Sequence, residues 1–216
     1  MNPISITARD LPDAWFQCVW NILDNGQTYR IDRGSYARQN RLEFDFITVH
    51  IKFPGTRPLT PEIPAALGIP NPVADGYIES YLPYLMTAEK QPNEDYTYGI
   101  YLESQIAEVI RMYKNDGYGT NQAYMTVGNP EAIYLSDPPC LRGIDTRIRD
   151  GKLHFYLYFR SWDLWGGFPA NLAAIQLLKE YMADEIGVGD GEIIAASKGL
   201  HLYDYAVELA KLRIMR

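Results

Sequence analysis

A run of six prolines between residues 54 and 75 sets the strongest limit on how this chain can fold. The six are Pro54, Pro58, Pro61, Pro64, Pro70 and Pro72. Each lacks a backbone N–H donor and restricts the residue before it, so neither a helix nor a central strand can continue through the segment. We therefore predict a loop over residues 54–75 inside the domain, and long loops within compact domains usually have a functional role.

On both sides of this loop, apolar residues are spaced for regular elements. Helical spacing predicts helices at Asp10–Asn25, Asp75–Met86, Tyr101–Lys114, Ala170–Ile186 and Tyr203–Arg213. Alternation predicts strands at Leu42–Phe53, Gln122–Val127, Leu141–Ile148, Lys152–Arg160 and Glu192–Ala196, whereas Tyr29–Arg41 is polar and irregular. Consecutive strands together with long helices favour the α+β class, with a mixed or antiparallel sheet packed against the helices.

One β-hairpin is indicated by its turn. Arg149-Asp150-Gly151 separates two predicted strands, and an Asp-Gly step is a favourable hairpin turn. In the second strand, the alternate apolar residues from Leu153 to Phe159 share one face. Arg160 would then lie on the polar face of a buried sheet. Its charge is costly there unless an anion or a hydrogen-bonding network meets it.

The charge balance argues against a dense nucleic-acid binder. The 216 residues include 27 acidic and 20 basic side chains, a net charge of −7, whereas such binders are normally basic. The 47% hydrophobic content suits one core, and no apolar run approaches the roughly 18 residues of a spanning helix. Cys18 and Cys140 make neither a disulfide framework nor a zinc pattern. We expect one cytoplasmic domain over residues 1–216, without a metal, nucleic-acid or membrane partner.

Cys140 is the first candidate for chemistry. It directly follows Asp137-Pro138-Pro139 and precedes a predicted strand. A free cysteine is most often a small buried core residue. Here the two prolines fix the approach of the backbone, and Arg160 would lie on the adjoining strand. A guanidinium close to a thiol favours the thiolate, which is the nucleophilic form.

The connection from Arg160 to Asn171 concentrates polar groups. It contains a guanidinium, a hydroxyl, a carboxylate, two adjacent glycines and an amide. Glycines permit close approach of a ligand, and the start of a helix offers free N–H groups. Helix capping alone would explain Asp163 or Asn171, but it does not explain the whole set together with Arg160.

For two further groups a structural interpretation is more common than a functional one. His201 and Tyr203 would place two polar rings on one side of an extended segment, although a lone histidine is more often structural than a ligand. A cluster of arginines between residues 30 and 41 is more often a solvated surface than a phosphate site. Its members are Arg30, Arg33, Arg38 and Arg41.

Taken in order, these motifs resemble the thymidylate synthase family, and more closely its short archaeal-type branch. Asp32-Arg33-Gly34 is a weaker match to the family's phosphate loop. Each motif alone is weak, but six in the family's order and at similar spacing are hard to obtain by chance. The six are Tyr96-Thr97-Tyr98-Gly99, Thr120-Asn121-Gln122-Ala123, Pro138-Pro139-Cys140, Arg160-Ser161-x-Asp163, Gly166-Gly167-x-Pro169-x-Asn171 and His201-x-Tyr203.

The resemblance implies an enzyme that converts dUMP to dTMP. The one-carbon donor and reductant would be 5,10-methylenetetrahydrofolate or a methanopterin analogue, and Cys140 would add to the uracil ring as a thiolate. The resemblance also implies the other site residues: Arg160, Arg33 and Ser161 for the phosphate, His201 and Tyr203 for the sugar hydroxyl, Tyr98 close to the thiol, and Asp163, Gly166 and Gly167 lining the pyrimidine and folate sides.

Asn171 bears on which base is bound. Its amide can accept from the uracil ring N–H and donate to the neighbouring carbonyl, whereas cytosine presents the reverse pattern. Related deoxycytidylate hydroxymethylases have a carboxylate at this position. Asparagine therefore favours a uracil nucleotide. A pyrimidine deoxynucleotide hydroxymethylase and a non-catalytic nucleotide- or RNA-binding relative are the alternatives.

The sequence departs from the family at two places, and two residues compete for the role of its general base. The arginines that the family lends across its dimer interface align near Asn121-Gln122, where neither residue is basic, so a monomer and a homodimer are both compatible. The general-base glutamate matches Glu79, with Glu62 in the proline-rich loop as its rival. The sequence ends soon after Tyr203, so we do not expect the carboxy-terminal lid that excludes water during hydride transfer.

Overall fold

Two β-sheets and five α-helices organise the residues that the computed structural model describes, which are 1–34, 36–90 and 96–215. The strands are β1 (Pro3–Ala8), β2 (Gln27–Arg30), β3 (Asn40–Glu43), β4 (Phe46–Ile51), β5 (Tyr124–Thr126), β6 (Leu141–Arg149), β7 (Lys152–Phe159), β8 (Trp162–Asp163), β9 (Gly189–Ser197) and β10 (Leu200–Tyr203). The helices are α1 (Leu11–Asn25), α2 (Tyr77–Met86), α3 (Gly99–Asn115), α4 (Gly167–Ile186) and α5 (Asp204–Ile214). The predicted α+β class is confirmed. Within these residues, no helix is both long and apolar enough to cross a membrane.

The larger sheet is mixed, with the strand order β1-β4-β9-β7-β6-β5. The pairs β1–β4 and β7–β9 are parallel, and the other neighbours are antiparallel. The predicted hairpin is confirmed, because β6 and β7 pair directly across the turn. Asp150 and Gly151 have φ values of 52° and 70°, and two successive positive φ values are what a type I′ turn requires.

The smaller sheet, with the order β2-β3-β10-β8, overturns two predictions. The single strand Leu42–Phe53 is wrong, because the chain passes from one sheet to the other at Phe44, whose N–H donates to the Leu200 carbonyl at 3.1 Å. The apolar alternation continues through this change and so cannot reveal it. The prediction that Tyr29–Arg41 is irregular throughout is also wrong, because its two ends belong to the paired strands β2 and β3. Only the middle of the segment is irregular. All four residues of β2 are exposed, which removes the apolar alternation that would indicate a strand.

A hydrophobic core joins the larger sheet to the helices. The predicted helices corresponding to α1, α3 and α4 are confirmed, and α4 is buried along most of its length. Trp15 on α1 donates its indole N–H to the carbonyls of Leu164 and Trp165, at 3.0 and 3.2 Å. Burying a large apolar side chain contributes about 1.5–3 kcal/mol. The core therefore fixes the segment that leads into α4.

The proline-rich segment has, as its one regular element, a short 3₁₀ turn at Ala65–Leu67, in agreement with the predicted loop. Arg57 anchors the segment to α4 through two bonds to the Glu180 carboxylate, both of 2.7 Å. Asn71 accepts a bond from the Ile63 N–H at 2.7 Å. At its far end, Pro72 and the two residues after it line a cavity together with the start of α4.

Candidate active site

One face of the smaller sheet is polar, and its composition follows from the strand register. Arg41 on β3 pairs with Tyr203 on β10, Glu43 pairs with His201, and His201 pairs with Asp163 on β8. Residues that are paired across strands lie on the same face. The register therefore gathers onto one surface five polar side chains that are far apart in the sequence.

Cys140 lies at the edge of this face, immediately before β6. Its carbonyl accepts a bond from the Arg160 N–H at 2.9 Å, so the two residues are neighbours, as the hairpin predicted. The Arg160 guanidinium donates to Asp137 at 3.0 Å, to the Pro139 carbonyl at 3.2 Å and to the Pro138 carbonyl. Arg160 thus fixes the turn that presents the thiol.

The free protein does not favour the Cys140 thiolate as strongly as the sequence suggests. Partial burial raises the pKa of the thiol above its ordinary value, and Asp137 raises it further, while Arg160 and Arg41 lower it. The expected effect of Arg160 is present, but it is smaller than the effect of desolvation. Cys18, by contrast, lies on the buried face of α1, and burial raises its pKa far more strongly.

His201 holds a buried lone pair that has no partner. Its Nδ1 lies 2.8 Å from the Gly199 carbonyl, which can only accept, so Nδ1 carries the proton and Nε2 is an acceptor. Nε2 is buried and finds no hydrogen-bond partner among the described residues. Burial lowers the pKa of His201 to about 4, which keeps the ring neutral near pH 7. A donor such as a hydroxyl would satisfy this nitrogen.

Aromatic rings surround His201. The Tyr203 ring meets the His201 ring edge-on with 4.6 Å between centroids, and Tyr36 stacks on Tyr203 at 4.3 Å. The second contact places the loop between β2 and β3 over this end of the site. Arg33 lies exposed in that loop, and Ser161 is half-buried between β7 and β8.

Arg41 is a functional candidate whose burial was not foreseen. The interpretation of the arginine cluster as solvated surface holds for Arg30, Arg33 and Arg38, which are exposed. It is wrong for Arg41, whose side chain is only 16% exposed. Arg41 pairs with Glu43 at 2.8 Å and lies over the Tyr29 ring at 4.6 Å, while its buried Nε has no partner within the described part of the chain.

Asp163 builds the connection between β8 and α4. Its carboxylate accepts bonds from the backbone N–H groups of Trp165, Gly166 and Gly167, at 3.2, 3.0 and 2.9 Å. The capping interpretation therefore applies to Asp163. The same carboxylate, the two glycines and Asn171 also line a cavity of about 490 Å³, so a capping role and a place in the site coexist.

Asn171 has protein partners on both sides of its amide. Its Oδ1 accepts from the Trp162 indole N–H at 2.9 Å, and its Nδ2 donates to the Tyr81 hydroxyl at 2.8 Å. Asn171 lies within α4, well past the helix start, so the capping interpretation does not apply to it. A second cavity of about 390 Å³ adjoins the first, and Tyr77 lines both.

A cluster of five tyrosines connects Asn171 to the thiol. The rings of this tyrosine cluster contact one another at centroid distances from 5.3 to 6.3 Å, and the Tyr98 hydroxyl accepts from the Leu141 N–H, next to Cys140, at 3.4 Å. The cluster was missed in the sequence, although the spacing of its α2 members was visible there. Its members are Tyr77, Tyr81, Tyr84, Tyr96 and Tyr98.

The two general-base candidates line a cavity whose wall does not include Cys140. Glu79 in the first turn of α2 and Glu62 in the proline-rich segment are both exposed and line the same cavity, of about 360 Å³. That cavity shares Val73 and Ala74 with the one lined by Asn171. Both carboxylates therefore border the cavity next to the one that Asn171 lines. Across the described ranges, no cluster of three or more histidine, cysteine or acidic residues could hold a metal ion.

Known proteins are similar to this chain both in the region of the motifs and over most of its length. The family model for thymidylate synthase matches residues 93–216. Proteins provisionally named thymidylate synthases are similar in Methanosarcina barkeri, at 31% identity over 93% of this chain and 89% of that protein, and in Methanothermobacter thermautotrophicus, at 29% identity over 93% of each. The thymidylate synthase of Listeria monocytogenes is 34% identical over 52% of this chain and 36% of that protein. On this evidence of sequence and fold, the chain belongs to the thymidylate synthase family.

Proposed function

We propose that the protein methylates dUMP to dTMP, with Cys140 as the nucleophile. The observation that carries the proposal is the buried, unpartnered Nε2 of His201, in a site that also holds a partly buried thiol and an oriented amide. A nucleotide offers a sugar hydroxyl, an electron-poor ring and a polar base edge to these three groups. Buried polar groups normally have a hydrogen-bond partner, so the unpartnered nitrogen, together with the thiol and the amide, supports a site that a ligand completes.

The nucleotide would lie along the polar face of the smaller sheet. Its sugar hydroxyl donates to His201 Nε2, beside Tyr203. Its phosphate binds Arg160 and Arg41, with Arg33 and Ser161 as further partners. Guanidinium groups bind phosphate through paired charge-assisted hydrogen bonds. Arg41 would supply from the same chain a charge that the family otherwise receives at the positions of Asn121 and Gln122.

The chemistry begins at the sulfur. Loss of the thiol proton gives a thiolate that adds to the β-carbon of the uracil ring, which makes the α-carbon nucleophilic. Because burial raises the pKa of Cys140 in the free protein, we expect the proton to leave once the nucleotide is bound next to Arg160. Glu79 or Glu62 would act as the general base for the later proton transfer at the ring.

The one-carbon carrier would occupy the two adjoining cavities. Their walls are Tyr77, Tyr81 and Tyr84 on one side and Gly166 and Gly167 on the other. Flat aromatic walls suit a pterin and its aryl extension. When bound, a methylenetetrahydrofolate or methanopterin-type carrier supplies the one-carbon unit and the hydride. The residues named here would hold and orient it.

The deciding experiment is mass spectrometry of the protein incubated with 5-fluoro-dUMP and either methylene carrier. We expect a covalent adduct in the wild type that is lost in Cys140→Ser. Cys18→Ser is the matched control, because that thiol is fully buried, and it should keep the adduct. Adduct formation at neither cysteine, or its survival in Cys140→Ser, would refute Cys140 as the nucleophile.

Two further measurements separate the alternatives. Release of tritium from the α-carbon of labelled dUMP requires attack on the ring, so its absence with both carriers would favour a non-catalytic nucleotide- or RNA-binding relative. Among catalysts, a hydroxymethylase adds water where a synthase adds hydride. Only the synthase reaction oxidises the tetrahydro carrier to its dihydro form, so product analysis distinguishes the two.

A further inference from the structure

The Asn171 amide is held by two side chains of different hydrogen-bonding character. Trp162 donates its indole N–H to Oδ1 at 2.9 Å, and the Tyr81 hydroxyl accepts from Nδ2 at 2.8 Å. An indole N–H can only donate, whereas a tyrosine hydroxyl can donate or accept. Only Trp162 can therefore dictate which end of the amide faces which way.

Rotating the amide by 180° would bring two donors together. The Nδ2 group would then face the indole N–H, and the buried indole donor and the half-buried amide donor would both lose their acceptor. Tyr81 would adapt by turning its hydroxyl proton toward the new oxygen. The energetic preference for the observed orientation therefore comes from Trp162.

Trp162 is itself firmly held. Its side chain is only 3% exposed, and its ring stacks on Phe159 with 3.8 Å between centroids and 5° between planes. Phe168 packs on it at a centroid distance of 4.5 Å. The indole cannot turn away to accommodate a rotated amide without disrupting this aromatic packing.

The observed orientation leaves suitable groups for one kind of base. An amide has two acceptor lone pairs and two N–H donors. Trp162 uses one lone pair and Tyr81 uses one N–H, so one of each remains available. Uracil offers a ring N–H and an adjacent carbonyl, which match the remaining groups, whereas cytosine offers the reverse pattern.

We propose that Trp162 is a positioning residue for base selection, because it holds the Asn171 amide in the orientation that reads uracil and excludes the one that reads cytosine. The inference rests on the proposed function, since it assumes that Asn171 faces the pyrimidine. It adds a residue that the resemblance did not assign to the site, since Trp162 stands at the x of Arg160-Ser161-x-Asp163. Removing the indole N–H should let the amide rotate and admit cytosine.

The test compares dissociation constants for dUMP and dCMP by calorimetry. In Trp162→Phe, we expect the preference for dUMP over dCMP to fall about 10-fold, mainly through tighter dCMP binding, since one buried hydrogen bond no longer opposes rotation. Tyr81→Phe is the matched control. It removes the other partner of the same amide, and it should leave the preference within about twofold, because that hydroxyl fits either orientation.

A second variant separates loss of the indole N–H from any effect on folding. Replacing Trp162 by 3-benzothienylalanine keeps the shape and stacking of the ring and exchanges only the N–H for sulfur, so the same 10-fold fall is expected there. An unchanged preference in this variant, or an equal fall in Tyr81→Phe, overturns the role of Trp162 while wild-type binding of dUMP stands. If the wild type binds neither nucleotide, the proposed function fails, and the inference fails with it.

Discussion

The two ends of the candidate site differ in how their buried polar groups are satisfied. At the base end, Asp163 accepts from three backbone amides, and Asn171 bonds to a side chain on each side. At the sugar–phosphate end, His201 Nε2 and Arg41 Nε are buried with no partner in the described residues. A buried polar group without a partner costs about 1–3 kcal/mol. In the free protein the base end thus already makes these bonds and keeps one lone pair and one N–H of Asn171 for the base, whereas the sugar–phosphate end holds buried atoms that await a ligand.

Because of this difference, we expect substitutions at the two ends to change different quantities. A change at the base end removes bonds that exist in the free protein, so it should lower the free energy of unfolding. A change at the sugar–phosphate end removes groups that keep a buried atom for the ligand, so it should lower affinity more than stability, even at Arg41, which also pairs with Glu43.

Asp163→Ala should destabilise the free protein by about 2–4 kcal/mol, because three backbone N–H groups at the start of α4 lose their acceptor. Denaturant unfolding measures the change. Asp163→Asn keeps one carbonyl oxygen and should lose markedly less. If Asp163→Ala has the same free energy of unfolding as the wild type and loses only nucleotide affinity, the Asp163 bonds do not stabilise the free protein.

Arg41→Ala should weaken dUMP binding roughly 10- to 100-fold, since one or two charge-assisted hydrogen bonds to phosphate are lost. Binding of deoxyuridine, which lacks the phosphate, should change little. Arg30→Ala is the control, because Arg30 is exposed on the adjacent strand β2. Equal losses for dUMP and deoxyuridine would show that Arg41 supports the fold of the site rather than the phosphate.

His201 predicts how stability depends on pH. The unfolded chain protonates this histidine near pH 6.5, whereas burial lowers its pKa in the folded protein to about 4. As the pH falls from 6.5 toward 4, the unfolded state gains protons that the folded state cannot bind, so stability decreases. At pH 5 the loss should be roughly 1–2 kcal/mol, and it should be absent in His201→Gln.

Denaturant unfolding at pH 7 and pH 5 tests this dependence. His154→Gln is the control for loss of an imidazole elsewhere, since His154 lies on β7, in the larger sheet. If His201→Gln loses as much stability between the two pH values as the wild type, His201 is not the group responsible. The buried, neutral His201 would then no longer support an unsatisfied sugar–phosphate end.

The sequence predicted those helices and strands whose pattern lies within the element itself. The helices matching α1, α3 and α4 have long apolar stripes, and the hairpin has an Asp-Gly turn. The strands β1, β2 and β8 were not predicted, and β10 was expected only as an extended segment, because each depends on partners elsewhere in the chain. For β2 in particular, all four residues are exposed.

The same distinction applies within the site. Cys140, Arg160 and His201 belong to motifs that a linear pattern can match. Arg41 appeared to be one surface arginine among four, since its burial depends on pairing with Tyr203 from the other end of the chain. Trp162 stands at the unspecified position of its motif, and only the fold brings its N–H to Asn171. Contacts between distant segments are what the sequence pattern left out.

The smallest expected effect concerns Glu43, which competes with phosphate for Arg41. Burial raises the pKa of Glu43 to about 7, although Arg41 and Lys198 lower it and Asp45 raises it. Above pH 7, the carboxylate is ionised and holds the guanidinium at 2.8 Å. Glu43→Gln should therefore tighten dUMP binding about threefold at pH 8 and hardly at all at pH 6.

The ratio of variant to wild-type affinity at each pH is the quantity to measure, because ionisation of the nucleotide phosphate cancels in it. Arg41→Ala combined with Glu43→Gln provides the control, since removing the contested guanidinium should abolish the pH dependence of the ratio. A ratio that stays constant from pH 6 to pH 8 would mean that Glu43 does not compete with phosphate. Arg41 would then be available to phosphate at every pH, and binding of the nucleotide would not depend on protonation of Glu43.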